Sequence, residues 1–144
     1  MSVAHTGHLV AVALASVPVG VDVELDDADV DGVPAALTDR EIAVIAALPD
    51  AHRTDALRRV WVRKEAVLKA LGFGLARDPR TIELSDPGAP PAVLAPAGPA
   101  GSAGMTLRDL EGAPGAVAAL ALAGVQPVEV REEDGDALLD VTSA

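Results

Sequence analysis

Asp22 and Glu24 stand two residues apart in Val19-Gly20-Val21-Asp22-Val23-Glu24. Glu65 and Lys69 stand four apart in Trp61-Val62-Arg63-Lys64-Glu65-Ala66-Val67-Leu68-Lys69. On an extended strand residues i and i+2 share a face, so Asp22 and Glu24 present two carboxylates to one side. On a helix i and i+4 are neighbours, so Glu65 offers a third carboxylate with an ammonium one turn away. Hard oxygen donors of this kind suit Mg²⁺, which keeps several waters and takes substrate phosphates for the rest of its shell. Cations for those phosphates are close in sequence: five of the 11 Lys and Arg fall in the 12 positions from Arg58 to Lys69, together with the only Trp. The pattern reads as the parts of a site for a metal and a polyphosphate. The plain alternatives are an edge strand with two solvated carboxylates, and a surface helix whose Glu65–Lys69 pair is worth a few tenths of a kcal/mol.

The helix pattern separates these readings. At about 100° per residue, Leu57, Val60, Leu68 and Leu71 gather on one apolar stripe, Glu65 and Lys69 lie on its rim, and Lys64 lands in its middle. A lysine there must snorkel to water or meet an anion. Gly20, beside the two strand carboxylates, would let a ligand approach the backbone closely. Glu41 is a weaker candidate, because a capping box accounts for it. His5, His8 and the remote His52 lack the spacing of a metal site and read as surface histidines.

The elements that must hold these residues are short. Leu9–Ala15 and Val19–Leu25 are apolar runs of strand length around a turn at Ser16–Pro18, and they read as a β-hairpin. Asp26–Pro34 is an acidic loop. Thr38-Asp39-Arg40-Glu41 has capping-box spacing and opens a short helix that Pro49 stops. Asp50 can cap a second helix running to about Leu71 and ending at Gly72 or Gly74. Strand-like pieces follow at Thr81–Leu84, Ala92–Ala95, Met105–Leu110 and Ala116–Ala123, with an Ala-, Pro- and Gly-rich loop between Pro87 and Gly104. Val128–Arg131 is a possible last strand before an acidic, fraying end. The order makes the fold α+β, a small antiparallel sheet packed against two helices, with one domain over residues 1–126 and an acidic C-terminal tail over 127–144.

Composition narrows the function. The chain has 144 residues, half of them apolar, but only one Phe, one Trp and no Tyr, so its core rests on Ala, Val and Leu. It has no cysteine, which fits a reducing compartment and leaves no disulfides or thiolate metal sites. No basic leader with an apolar run is present, and no segment reaches about 18 apolar residues, so the expectation is a soluble, cytoplasmic protein without a membrane partner. A net charge of −11 argues against nucleic-acid binding. Eight of the 11 basic residues nevertheless lie between Arg53 and Arg80, a local patch suited to an anionic small molecule or a small acidic partner.

The two long motifs, at this separation, strongly resemble the 4′-phosphopantetheinyl transferases of the Sfp type. That family carries Val/Ile-Gly-Val/Ile-Asp-x-Glu, then Trp/Phe-x-x-Lys-Glu-(Ala/Ser)-x-x-Lys. Ala4-His5-Thr6 is similar to its Ser-His-(Ser/Thr) segment, with Ala4 in place of the hydroxyl residue, and Leu37–Glu41 sits where the family starts a helix with Glu. The resemblance implies a half fold of that type. It implies transfer of the phosphopantetheine arm of coenzyme A to a serine of an acyl or peptidyl carrier protein, with 3′,5′-ADP as leaving group. By position, Asp22, Glu24 and Glu65 would hold Mg²⁺, and Glu65 would take the serine proton. Lys69, with Lys64, would neutralise charge on the leaving phosphate, His5 would meet the 3′-phosphate, and Trp61 would shape the pocket.

The resemblance covers about residues 3–124 and only the second half of the two-halved members, whose site lies in the cleft between halves. Short relatives, the holo-carrier-protein synthases, form trimers with sites at the interfaces. The expectation is therefore a cleft completed by a second copy, by a separate partner, or by sequence upstream of Met1. The alternative function is a half-domain that binds coenzyme A or carrier protein without transfer.

Overall fold

Ala116–Ala123 is apolar at every position, the composition of a strand covered on both faces, and it is the centre of the main sheet. In the computed structural model, which describes residues 1–95, 104–111, 114–124 and 128–140, the antiparallel order is β3–β5–β4. Here β3 is Val19–Leu25, β4 is Met105–Leu110 and β5 is Ala116–Ala123. Strands β1 (Ser2–Thr6) and β2 (Leu9–Ala13) form a separate antiparallel hairpin, turned at Gly7 with φ 51°. Helices α1 (Asp39–Ala46) and α2 (Asp50–Ala70) follow β3, and a short α3 (Gly135–Asp140) comes last.

The molecule is layered around this sheet. Val19, Val21 and Val23 of β3 face the hairpin and close a core with Ala4, Ala13, Leu120 and Leu122. The opposite face meets α2, where Val60, Val62, Ala66, Val67 and Leu68 pack with Leu107, Ala119 and Ala121. Period-two alternation thus sends Gly20, Asp22 and Glu24 to the α2 side. The architecture is α+β, with α2 on the sheet and α1 packed on α2.

Several sequence expectations change here. The run at Leu9 pairs with Ser2–Thr6, not with Val19–Leu25, and β3 takes β5 as its partner instead. The tight turn at Gly7 closes a nearer hairpin, and Val19–Leu25, with one face to each core, needs a partner inside the main sheet. Thr81–Leu84 and Ala92–Ala95 reduce to one bridge, Leu84 to Val93, after a 3₁₀ turn at Pro79–Thr81. Pro79, Pro87, Pro90 and Pro91 remove ladder donors from this stretch. Val128–Arg131 forms no strand; Val128 and Val130 instead pack against the hairpin-side core. The end expected to fray holds α3, through Asp140. Of the irregular loop expected before Gly104, residues 96–103 lie outside the described residues, as does the proposed domain boundary at 126.

Helix α1 starts as its sequence predicts, and α2 starts without the Asp50 cap. Thr38 accepts from the Glu41 amide while Glu41 accepts from the Thr38 amide, the reciprocal capping box. Helix α2 begins after Pro49, with no side-chain cap; Asp50 is its first residue and pairs with Arg53 at 2.8 Å. Gly72, φ 75°, follows its end, a left-handed position that glycine takes without strain.

Candidate functional site

The site is built where β3 crosses α2 with unusually little between them. A Cβ on Gly20 would lie 2.5 Å from the Ala70 amide and 2.9 Å from Lys69 Cβ, and would overlap the Ala66 carbonyl. The sequence led to the expectation that Gly20 clears room for a ligand; instead α2 fills that room, and the missing side chain sets the closeness of helix and strand. Lys69, one turn after Glu65, consequently reaches across. Its Nζ donates to Asp22 Oδ1 at 2.7 Å and to the Val21 carbonyl at 3.1 Å.

Asp22 and Glu65 are both buried, and each keeps one carboxylate oxygen, Asp22 Oδ2 and Glu65 Oε1, with no hydrogen-bond partner. Burial pushes the Asp22 pKa up; the hydrogen bond and charge of Lys69 work against this, and Glu24 adds to it. Burial likewise raises Glu65, with Asp22 and Glu24 as like charges and Lys69 opposing. Glu24 lies nearer the surface and accepts from Thr6 Oγ1 at 3.0 Å, a bond that joins the hairpin to β3. Ser2 Oγ adds a second tie, accepting from the Val21 amide at 3.1 Å.

Asp22 and Glu65 thus leave two buried acceptor oxygens unpartnered beside Lys69, and both carboxyl groups have raised pKa values. As ligands these are hard oxygens, suited to a small hard ion with open positions left for water or phosphate. Among the described residues, no three His, Cys, Asp or Glu side chains converge as a ready-made cage. The Asp22–Lys69 contact occupies one of the oxygens.

The rest of the basic cluster is spent inside the protein. Lys64, expected to meet a ligand phosphate, is fully buried. Its Nζ lies 2.7 Å from Glu41 Oε2 and also donates to the Ile82 and Pro79 carbonyls at 2.7 and 3.0 Å. Burial pulls its pKa down, while Glu41 opposes the shift. The stripe-centre lysine does meet an anion, but that anion is Glu41. Arg63 is 1% exposed and makes a bidentate pair with Asp109, at 2.8 and 2.7 Å, that Arg59 joins at 3.4 Å. Buried Arg58 donates to the Ala28 carbonyl and to Asp55.

The structure thus brings Asp22, Glu65 and Lys69 together, with Glu24 beside them on the same strand face. Trp61 is half-buried a turn before Glu65 and walls a shallow cavity of about 280 Å³ with Asp29, Gly32 and Val33; Asp22, Glu24 and Glu65 do not line it. His5 is exposed on β1 opposite Val10, and among the described residues its side chain makes no hydrogen bond. Sequence reasoning passed over Thr6 and Asp109. Asp109 had a signal: it shares a β4 face with buried Leu107, so a carboxylate falls where a core residue belongs. Thr6 had only its place after His5.

This geometry sits in a recognisable sequence frame: the profile of the 4′-phosphopantetheinyl transferase superfamily matches residues 18–120, and the chain belongs to that superfamily. No curated protein matches it closely enough to count as a relative. Among solved structures it is similar to the holo-[acyl-carrier-protein] synthase (AcpS) of Thermotoga maritima. That likeness has a TM-score of 0.59 at 20% identity, over 86% of this chain and 73% of that one, and shows a shared fold. No helix among the described residues is long and apolar enough to cross a membrane.

Proposed function

We propose that the chain transfers 4′-phosphopantetheine from coenzyme A to a serine of an acyl or peptidyl carrier protein, with Mg²⁺ held by Asp22, Glu24 and Glu65. The observation that carries the reading is the Lys69–Asp22 contact beside two buried, unpartnered carboxylate oxygens. Those oxygens and the raised pKa values of Asp22 and Glu65 are what a bound divalent cation would satisfy and reverse. Mg²⁺, when bound, supplies charge neutralisation to the pyrophosphate.

The chain's own residues carry the remaining work. Serine Oγ forms a bond to the β-phosphorus of coenzyme A, the bond from that phosphorus to the bridging oxygen breaks, and 3′,5′-ADP departs. Glu65, one turn before Lys69 on α2, accepts the serine proton directly or through one water. Lys69 turns from Asp22 to the leaving phosphate and offsets its growing charge. His5, exposed on the hairpin, is available to the 3′-phosphate, while Trp61 lines a neighbouring cavity with Asp29, Gly32 and Val33.

The spent cations bear on partners. Arg58, Arg63 and Lys64 are buried on acceptors of this chain, so of the cluster only Lys69 and the half-exposed Arg59 remain for a pyrophosphate. Further cations then come from a second copy or a separate partner chain. A calorimetric titration of coenzyme A in the presence and absence of Mg²⁺, with chromatography for 3′,5′-ADP after an apo carrier protein is added, tests the reading. Mg²⁺-dependent binding followed by ADP release supports it. Binding without release favours the non-transferring half-domain, and the absence of both binding and release contradicts the reading.

A further inference from the structure

Lys64 directly precedes Glu65 on α2, yet its side chain leaves the site. An ammonium has three N–H groups to give. Lys64 gives them to Glu41 Oε2, the Ile82 carbonyl and the Pro79 carbonyl, with none of its surface open to solvent. Glu41 is equally committed. Oε2 also accepts from the Thr38 amide at 2.8 Å, and Oε1 accepts from the Leu84 amide at 3.0 Å. A ligand phosphate finds no free donor on Lys64. The pair ties the first turn of α1 and the 79–84 segment to one point of α2.

Adjacent helix residues point about 100° apart, so Lys64 enters this lock while Glu65 turns toward β3. Any rotation of α2 that draws Lys64 from its three acceptors swings Glu65 and Lys69 away from Asp22. On the opposite side, the close approach at Gly20 holds the helix against β3, and the turn that carries Lys64 is also tied to β4 through Arg63 and Asp109.

We propose that Glu41 and Lys64 are positioning residues: their buried pair sets the rotation of α2 that aims Glu65 and Lys69 at Asp22, and Lys64 makes no contact with coenzyme A. The kinetic consequence rests on the transfer reading; the structural claim does not. Glu41 then has a purpose beyond its cap, and the lysine of the motif acts through the glutamate that follows it.

A stability cycle tests the structural claim without any assay of transfer. Glu65→Gln relieves the like charges of Asp22 and Glu24, so its thermal midpoint exceeds the wild type by a few degrees. In a Lys64→Met background Glu65 no longer faces Asp22 squarely, and the same substitution gives less than half that shift. Equal shifts in both backgrounds overturn the proposal. Should Lys64→Met not fold, Glu41→Gln serves as the background, since it keeps an oxygen for one of the two amides.

Where the wild type transfers, kinetics adds a second decision. Lys64→Met and Glu41→Gln each lower kcat about tenfold or more, with KM for coenzyme A within about twofold. Lys64→Arg does not rescue, because a guanidinium does not fit a fully enclosed ammonium pocket. A KM for coenzyme A raised about tenfold by Lys64→Met and restored by Lys64→Arg makes Lys64 a phosphate contact and contradicts the proposal. A wild type without transfer defeats the transfer reading alone, and the stability cycle still decides this one.

Discussion

Lys69 Nζ lies 2.7 Å from Asp22 Oδ1, while Glu65, one turn earlier on the same helix, is buried with Oε1 unpartnered. One ammonium thus serves two buried carboxylates, and the second is left without a hydrogen bond at that oxygen. A site built only for stability would not leave it so.

Glu65→Gln is therefore expected to stabilise the fold and abolish transfer. The neutral amide removes the cost of burying a charge and, beyond that, the repulsion from Asp22 and Glu24, raising the thermal midpoint by a few degrees. Losing the base lowers kcat by about 10²–10⁴-fold. Differential scanning calorimetry and a transfer assay on the same sample check both halves.

Cation binding should release protons. Asp22 and Glu65 have raised pKa values, so near and below those values they hold protons that a divalent ion must displace. Release falls toward zero as pH rises above both values and the carboxylates are already ionised. Titrating Mg²⁺ calorimetrically in two buffers of different ionisation enthalpy reads the proton count directly. The wild type should gain thermal midpoint with Mg²⁺, and Asp22→Asn should lose that gain.

Gly20→Ala should cost about 1–3 kcal/mol, because the added methyl meets backbone of α2 at Ala66 and Ala70, which cannot swing aside as a flexible side chain would. Helix and strand must separate, so transfer falls as well. Urea unfolding of the variant measures the first effect. An unchanged midpoint would mean that the close approach is not what joins the two elements.

Asp109 should govern acid stability. Burial alone would raise its pKa, but the hydrogen bonds and charges of Arg63 and Arg59 prevail and lower it. A depressed carboxylate contributes stability that is full above its unfolded pKa and is lost as pH falls through the lower, folded value. Asp109→Ala strands Arg63 in the core and should cost about 3–5 kcal/mol near neutral pH, with less acid sensitivity remaining. Unfolding free energies measured from neutral to acid pH separate the variant from the wild type.

Thr6→Val should loosen Glu24, whose Oε2 the threonine hydroxyl holds at 3.0 Å. The change keeps the shape of the side chain and removes the donor. Weaker Mg²⁺ binding, restored by Thr6→Ser, is the expected calorimetric result.

Local pattern was enough for much of this. The alternation in Val19–Leu25 placed Asp22 and Glu24 on one face, Thr38 and Glu41 announced α1, and Met105–Leu110 and Ala116–Ala123 are strands with those bounds. Which strand pairs with which was not legible, since β3 and β5 lie far apart in sequence and local turn signals say nothing of a partner so distant. The basic cluster misled for a similar reason. Arg63 is answered by Asp109 and Lys64 by Glu41, residues distant in sequence. Helix periodicity showed that Lys64 needed an anion, but not whether that anion belonged to a substrate or to the protein. Gly20 showed the same ambiguity: glycine permits close approach, and only the fold shows that the thing approaching is α2.

Glu65, Lys69 and Asp22 are proposed to carry out phosphopantetheine transfer. Intact-mass spectrometry of an apo carrier protein, incubated with the chain, coenzyme A and Mg²⁺, tests it most directly. The expected result is one added phosphopantetheine on the carrier serine with the wild type, and none with Glu65→Gln or with Asp22→Asn at equal folded concentration. A folded wild-type protein that leaves the carrier mass unchanged, alone and with any partner copurified on it, or a Glu65→Gln variant that transfers at the wild-type rate, would contradict the account.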